Sequence, residues 1–268
     1  MKLPIYQIVS ACLLAVTITS CASNPYAVTN RIYKKQTKEL AKTIREIPAT
    51  QAGQDWAGTT NFSLRKPNYV IIHHTAQNSA EQTLKTFTMP KTQVSAHYVI
   101  AKDGKVYHML NDYLRAWHGG SSKWGNATDI NSSSIGIELD NNGYEAFSES
   151  QMGSLVNVLS SLKTNYSIPT ANFIGHSDIA PGRKVDPNAN FPWKDLSEKG
   201  FGLWPDAVLD SVPQNFNPPE ALRIIGYDIK NLEYAIRSFK LHFIQNDLSP
   251  MLTEFDKQVL YNLYKKYL

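Results

Sequence analysis

Short apolar, β-branched runs alternate along this chain with segments that open on a helix cap. That alternation restricts the fold more than any other feature. Tyr69-Val70-Ile71-Ile72 is a run of the kind buried in a strand, and Ser134–Leu139 and Phe173–Ile174 are further short strands. Between them, Ser79-Ala80-Glu81-Gln82 and Ser148-Glu149-Ser150-Gln151 carry the Ser-x-x-Gln spacing of a capping box. The first opens a helix with Leu84 and Phe87; the second sets Met152, Leu155, Val156, Leu159 and Leu162 on one stripe. Ala96–Lys102 and Lys105–Leu110 flank Asp103-Gly104, a two-residue hairpin signal. Strands interleaved with helices, with one antiparallel hairpin, predict an α/β domain over residues 61–212: a mixed central β-sheet flanked by helices. A Gly/Pro-rich loop runs from Gly175 to Pro192. Past Pro213 the pattern is helical only. Pro218-Pro219 starts a helix that stops at Gly226, Asn231 caps a second and Thr253 a third. Residues 213–268 are therefore a small C-terminal three-helix module, close to the lower size limit for independent stability.

Composition narrows the chemistry. The 268 residues are 42 % hydrophobic, 19 % charged and 11 % aromatic, enough to build a core and too apolar for a disordered chain. A net charge of +4 is too mild to make nucleic acid the partner. Two cysteines exclude both a disulfide framework and a cysteine-rich metal site, so any metal is held by His and carboxylates. Residues 1–20 have an early Lys2 and then an apolar run, too short for a membrane anchor and typical of a signal peptide. The run ends in Ile18-Thr19-Ser20-Cys21, which resembles a bacterial lipobox; an ordinary signal peptide with an incidental Cys21 is the alternative. The resemblance implies cleavage before Cys21 and acylation of it. Ala22 in place of Asp then implies the outer membrane of a Gram-negative bacterium, facing the periplasm. Cys12 is then lost and Cys21 modified, which excludes a cysteine nucleophile. Residues 21–60 read as an anchor and polar tether with a helical pattern near Lys38–Ile47.

Four polar clusters sit at strand ends, where α/β folds place their sites. They are Ile72-His73-His74-Thr75, the carboxylate in Ile135-Gly136-Ile137-Glu138-Leu139, Gly175-His176-Ser177-Asp178, and Gly182-Arg183-Lys184-Val185-Asp186-Pro187. Successive strand residues face opposite ways, so His73 and His74 cannot both enter one site; alternation alone does not say which does. Lys184 and Asp186 project to one side of an extended loop. Taken singly, each cluster has an ordinary reading: a hydrogen-bonded strand-end histidine, a buried ion-pair partner, a turn. Together they supply two histidines and a carboxylate, a three-ligand zinc set with a fourth position for water. A second carboxylate to deprotonate that water and an ammonium to hold an oxyanion complete the parts of a metal-assisted hydrolase.

The stretches NYVIIHHTA (68–76), VSAHYVIAKDGKVYHML (94–110), AWHGG (116–120), SIGIEL (134–139) and GHSDIAPGRKVDP (175–187) resemble zinc-dependent N-acetylmuramoyl-L-alanine amidases of the type-2 amidase fold. That fold is shared with phage T7 lysozyme and the peptidoglycan recognition proteins. The resemblance covers roughly residues 60–268. It implies Zn2+ held by His73, His176 and Asp186, Glu138 as general base and Lys184 as transition-state stabiliser. The implied substrate is peptidoglycan or its muropeptides, cut between N-acetylmuramic acid and L-alanine by a monomer. Some relatives carry a tyrosine at the position of Ala96, so no such role is assigned. His97 would brace the site or touch substrate; Trp117, His118 and Gly119 would form a groove wall, or Trp117 a loop aromatic packed on the sheet; Arg183 would meet a stem-peptide carboxylate or stand as a solvated loop charge. The helical tail resembles a peptidoglycan-binding module through Leu222–Tyr227 and Ala235–Phe239, although the glycines usual late in such modules are missing. Packing of the tail on the catalytic domain is the alternative. Two rival functions remain: a non-catalytic peptidoglycan-binding lipoprotein, and an enzyme for another amide such as one within the stem peptide.

Overall fold

A computed structural model describes residues 24–45, 59–61 and 63–268. The expected signal peptide and Cys21 lie outside the described residues. The chain divides into two units, residues 1–60 and 61–268. In the first, one helix, α1 (Ala27–Arg45), begins well before the helical pattern at Lys38. Its opening turn is closed by the Asn24 side chain, which accepts a hydrogen bond from the Tyr26 amide at 2.9 Å.

The second unit is built on five strands: β1 (Tyr69–His74), β2 (Tyr98–Ile100), β3 (Val106–His108), β4 (Ser134–Leu139) and β5 (Phe173–Gly175). Their order across the sheet is β3-β2-β4-β1-β5, with β2 and β3 antiparallel and the other neighbours parallel. The predicted mixed sheet is present. The hairpin turns at Asp103-Gly104 as expected, but its strands stop at Ile100 and start at Val106, shorter than their β-rich flanks suggest. Gly104 adopts φ +88° while the turn presses on a helix start; a Cβ there would lie 2.7 Å from the Ser150 carbonyl oxygen.

On one face, α2 (Ala80–Thr88) and α3 (Glu149–Tyr166) begin at the serines named from sequence. Ser79 and Ser148 accept the Gln82 and Gln151 amides at 3.2 and 3.1 Å. Val70, Ile72, Ile135, Ile137 and Leu139 of the strands meet Leu155, Leu159 and Leu162 of α3 in one core. The opposite face supplies Ile71 and Ile174 to a second core. Its other side is α6 (Pro218–Ile225), α7 (Leu232–Phe243) and α8 (Glu254–Tyr267), through Leu222, Phe239, Leu260 and Leu263. Thr253 and Asp256 close a reciprocal capping box on α8. Two short helices escape the sequence pattern. The Gly/Pro-rich loop contains one helical turn, α4 (His176–Ile179), and ends against α5 (Trp193–Glu198).

Candidate metal centre and active site

The register of the two central strands decides between His73 and His74. β1 and β4 run parallel with His73 opposite Glu138, so these side chains leave the sheet on the same face. His74 points the other way, and its Nδ1 accepts the Asn188 amide at 3.1 Å, holding the loop beyond Asp186. On the His73 face, β4 carries Ser134, Gly136 and Glu138. Gly136 is required there: a Cβ would lie 2.4 Å from the ring of His118.

His176 opens α4 directly after β5, and the Ser177 amide donates to the Asp186 carbonyl at 2.8 Å, folding the loop back. Three buried donor atoms thereby converge. His73 Nδ1 lies 2.9 Å from His176 Nδ1 and 3.1 Å from Asp186 Oδ2, and His176 Nδ1 is 3.0 Å from the same oxygen.

The surrounding hydrogen bonds settle what those atoms present. Ser134 gives its single hydroxyl proton to the Ile130 carbonyl at 2.6 Å, so its oxygen accepts from His118 Nε2 at 3.1 Å. His118 Nδ1 is then an acceptor, and it takes the His73 Nε2 proton at 3.1 Å. His73 is left with a bare Nδ1. His176 Nε2 lies 3.2 Å from the Gly119 carbonyl and 3.4 Å from Arg183 Nη2; donation to the nearer carbonyl, which can only accept, leaves its Nδ1 bare as well. Two imidazole lone pairs and a carboxylate oxygen facing one another across about 3 Å call for a cation between them. A tetrahedral zinc ion with bonds of about 2.0–2.1 Å spaces its donors about 3.3–3.4 Å apart, a few tenths of an ångström wider than this triangle. The donor set fits zinc.

Electrostatics agree. Burial, and then the neighbouring His176, hold the His73 imidazole down at about 4, and burial keeps His118 well below the usual histidine range, so both are neutral at physiological pH. Glu138 Oε1 lies 3.9 Å from His73 Nδ1, while its Oε2 is buried without a hydrogen-bond partner. Burial, and then the Asp186 charge, push the Glu138 carboxyl up to about 8 against the pull of Lys184. A cleft of about 410 Å3 opens over this face, with His73, Glu138, His176, Lys184, Asp186 and Trp117 in its lining.

Residues 63–189 match the N-acetylmuramoyl-L-alanine amidase family. The chain is 32 % identical over 206 residues to N-acetylmuramoyl-L-alanine amidase AmiD of Escherichia coli, an alignment covering 65 % of this chain and 74 % of that protein. It is 39 % identical over 101 residues to 1,6-anhydro-N-acetylmuramyl-L-alanine amidase AmpD of Citrobacter freundii, covering 38 % and 54 %. The chain belongs to the N-acetylmuramoyl-L-alanine amidase family. Among solved structures, E. coli AmiD in complex with a muropeptide superposes with a TM-score of 0.68 at 27 % identity, covering 78 % of this chain and 93 % of that one. AmpDh3 of Pseudomonas aeruginosa gives 0.70 at 28 % identity, covering 81 % and 98 %.

Within this amidase fold, the side chains expected to meet substrate divide sharply. Trp117 is 50 % exposed on the cleft wall. His118 also lines the cleft, largely buried behind His73, and spends both nitrogens on the relay above. His97 stands outside the cleft lining. It is fully buried, with Nδ1 accepting the Gly136 amide and Nε2 donating to the Leu114 carbonyl, so it braces β4. Arg183 lies across the 119–121 loop, donating Nε to the Ser121 carbonyl at 3.1 Å and Nη2 to the Gly119 carbonyl at 2.6 Å. That commitment turns it toward shaping the site. Sequence reasoning missed Ser134, the Gly119 carbonyl and Asn131, whose Oδ1 accepts the His118 and Gly119 amides. The only sequence signal for them was the small-residue face Ser134-x-Gly136 leading to Glu138.

Proposed function

We propose that this chain is a zinc-dependent hydrolase that cuts the amide bond between N-acetylmuramic acid and L-alanine in peptidoglycan or its muropeptides. The observation that carries the reading is the pair of bare imidazole nitrogens and a carboxylate converging beside the unpartnered Glu138 Oε2. The AmiD neighbour holds anhydro-N-acetylmuramic acid-L-Ala-D-gamma-Glu-L-Lys, which supports the same substrate class here. The lipobox-like Ile18–Cys21 supports a tether through acylated Cys21 to the outer membrane, facing the periplasm, and we propose a monomer.

In this mechanism His73, His176 and Asp186 hold the zinc ion. When bound, the ion brings the pKa of water down towards about 7 and polarises a carbonyl. Glu138 takes a proton from the attacking water on its free Oε2, then delivers it to the alanine nitrogen as the amide breaks. Burial raises the Glu138 carboxyl, which favours its holding the proton between the two transfers, and a cation held beside it would favour the ionised form that accepts it. The Lys184 ammonium, at the cleft lining, offsets the negative charge that develops on the former carbonyl oxygen, an interaction typically worth about 3 kcal/mol. Trp117 offers a flat apolar wall on which a sugar or peptide can lie.

The test is the chain without residues 1–21, incubated with purified muropeptides with and without a chelator, and read by mass spectrometry. Stem peptides with a free N-terminal L-alanine beside intact sugar, lost with chelator and restored by zinc, are the expected products. Fragments bound but uncut by the zinc-loaded protein would replace hydrolysis with simple peptidoglycan binding. Cleavage inside the stem peptide would reassign the bond.

A further inference from the structure

Helix α1 carries a charge pattern the catalytic unit does not need. Its 19 residues contain Arg31, Lys34, Lys35, Lys38, Lys42 and Arg45 against one acid, Glu39. That net charge exceeds the +4 of the whole chain, so the remaining residues are together slightly acidic. The chain's excess of cations over acids lies in this helix.

It is also sorted by face. At 3.6 residues per turn, all six cations fall within an arc of about 100°. Val28, Ile32, Tyr33, Leu40 and Ile44 fall within a separate arc of about 160°. No residue of α1 is buried, and Val28, Ile32, Leu40 and Ile44 are 66 %, 48 %, 49 % and 77 % exposed. Glu39 falls inside the apolar arc, between Val28 and Ile32, and is paired with Lys42 at 3.1 Å; Thr29, Gln36 and Thr43 are the other polar residues of that arc. A helix of this length draws most of its stability from burying an apolar face, and within its own unit no described element covers this one. No described helix is long and apolar enough to cross a membrane.

We propose that α1 is an interfacial helix that lies along an anionic phospholipid surface, its Val28–Ile44 face sunk at the headgroup boundary and its cations against lipid phosphates. An apolar arc flanked by cations is the composition that such a surface satisfies on both counts. A wall polymer would match the cations and leave the apolar arc in water. A second copy of α1 would match the arc and set six cations against six. The proposal is independent of the amidase reading. With an acylated Cys21 it would add a second attachment a few residues from the first, laying the tether along the membrane.

The test uses the unacylated chain from residue 21 onward, floated with vesicles of phosphatidylcholine plus phosphatidylglycerol or of phosphatidylcholine alone. The expected result is apparent affinity at least about tenfold higher on the anionic vesicles, weakened by added salt. Helical circular dichroism should rise on binding. K34E/K38E and I32S/L40S should each abolish flotation while leaving hydrolysis of soluble muropeptides unchanged, which shows that the catalytic unit is folded. Equal binding to both vesicles, no binding to either, or flotation unchanged in both variants overturns the proposal. So does concentration-dependent self-association that I32S/L40S removes, which would make the occupant a second copy. Retention on peptidoglycan sacculi that K34E/K38E removes, without vesicle binding, would make it the wall.

Discussion

A histidine binds a metal only through a nitrogen that carries no proton, and here that state is imposed from three residues away. Ser134 has one proton to give and gives it to a carbonyl, so His118 must donate to Ser134 and accept from His73. Cutting the relay frees the His73 tautomer. His118→Ala is expected to weaken zinc binding by about 10–100-fold, the usual effect of removing an orienting partner. Competition with a chromophoric chelator measures it; affinity equal to wild type would mean that His118 only fills space. A second residue-scale expectation concerns stability. His108 donates to Asp112 at 3.2 Å, and that hydrogen bond raises its pKa above the usual value. Burial alone would raise the Asp112 carboxyl, but hydrogen bonds from His108, Tyr166 and Tyr98 bring it below its usual range. A raised histidine pKa contributes stability that is complete below about 6.5 and lost as pH climbs through the folded value. A depressed carboxyl contributes above about 3.8 and fails as pH falls through its folded value. The gap in Tm between wild type and His108→Gln should therefore be largest near pH 5–6 and shrink by about pH 8. A gap that stays constant across that range contradicts the assignment.

At the scale of elements, α4 is a single turn that carries His176, one of the three proposed metal ligands, yet cannot hold its own shape. Asp178, two residues after His176, does the holding. Its Oδ2 accepts the Gly175 amide and His242 Nδ1, each at 2.7 Å, and its Oδ1 accepts the Tyr227 hydroxyl at 2.7 Å. The turn that carries His176 is thus fastened to the C-terminal helices. Tyr227→Phe leaves one buried carboxylate oxygen without its donor and should cost about 1–3 kcal/mol of stability. A matching loss of zinc affinity in the chelator assay would show that the fastening reaches the site; a stability loss alone would confine Tyr227 to packing. The same comparison marks what a sequence reveals. Caps at Ser79, Ser148, Asn231 and Thr253 and the Asp103-Gly104 turn were legible because each depends on a few neighbouring residues. The choice of His73 over His74 was not legible from residue pattern, since it depends on β1 pairing with a strand over sixty residues away. The roles of His97 and His118 were hidden for the same reason. A buried brace and a groove contact call for the same residue type, and only the partners across the sheet distinguish them.

For the molecule as a whole, the second core decides how residues 61–268 behave as a unit. Ile71 and Ile174 of the sheet share one apolar cluster with Leu222, Phe239, Leu260 and Leu263 of α6, α7 and α8. Phe239 is fully buried there, with its ring 5.3 Å from that of Phe243 and 6.3 Å from that of Tyr227. Removing the ring forfeits its transfer free energy and leaves a cavity that close-packed neighbours fill only in part. Phe239→Ala should lower the unfolding free energy by about 3–5 kcal/mol. Because the helices and the sheet have this core in common, the loss should not melt the helices ahead of the site. Heating zinc-loaded wild type and variant should give one transition each, with far-ultraviolet circular dichroism and zinc release moving together, and the variant shifted to lower temperature. Early loss of helical signal with zinc still bound would show instead that the helices unfold as an independent body. The shared core would then be a contact between two separately stable parts, and Tyr227 and His242 would hold α4 only while that contact lasts.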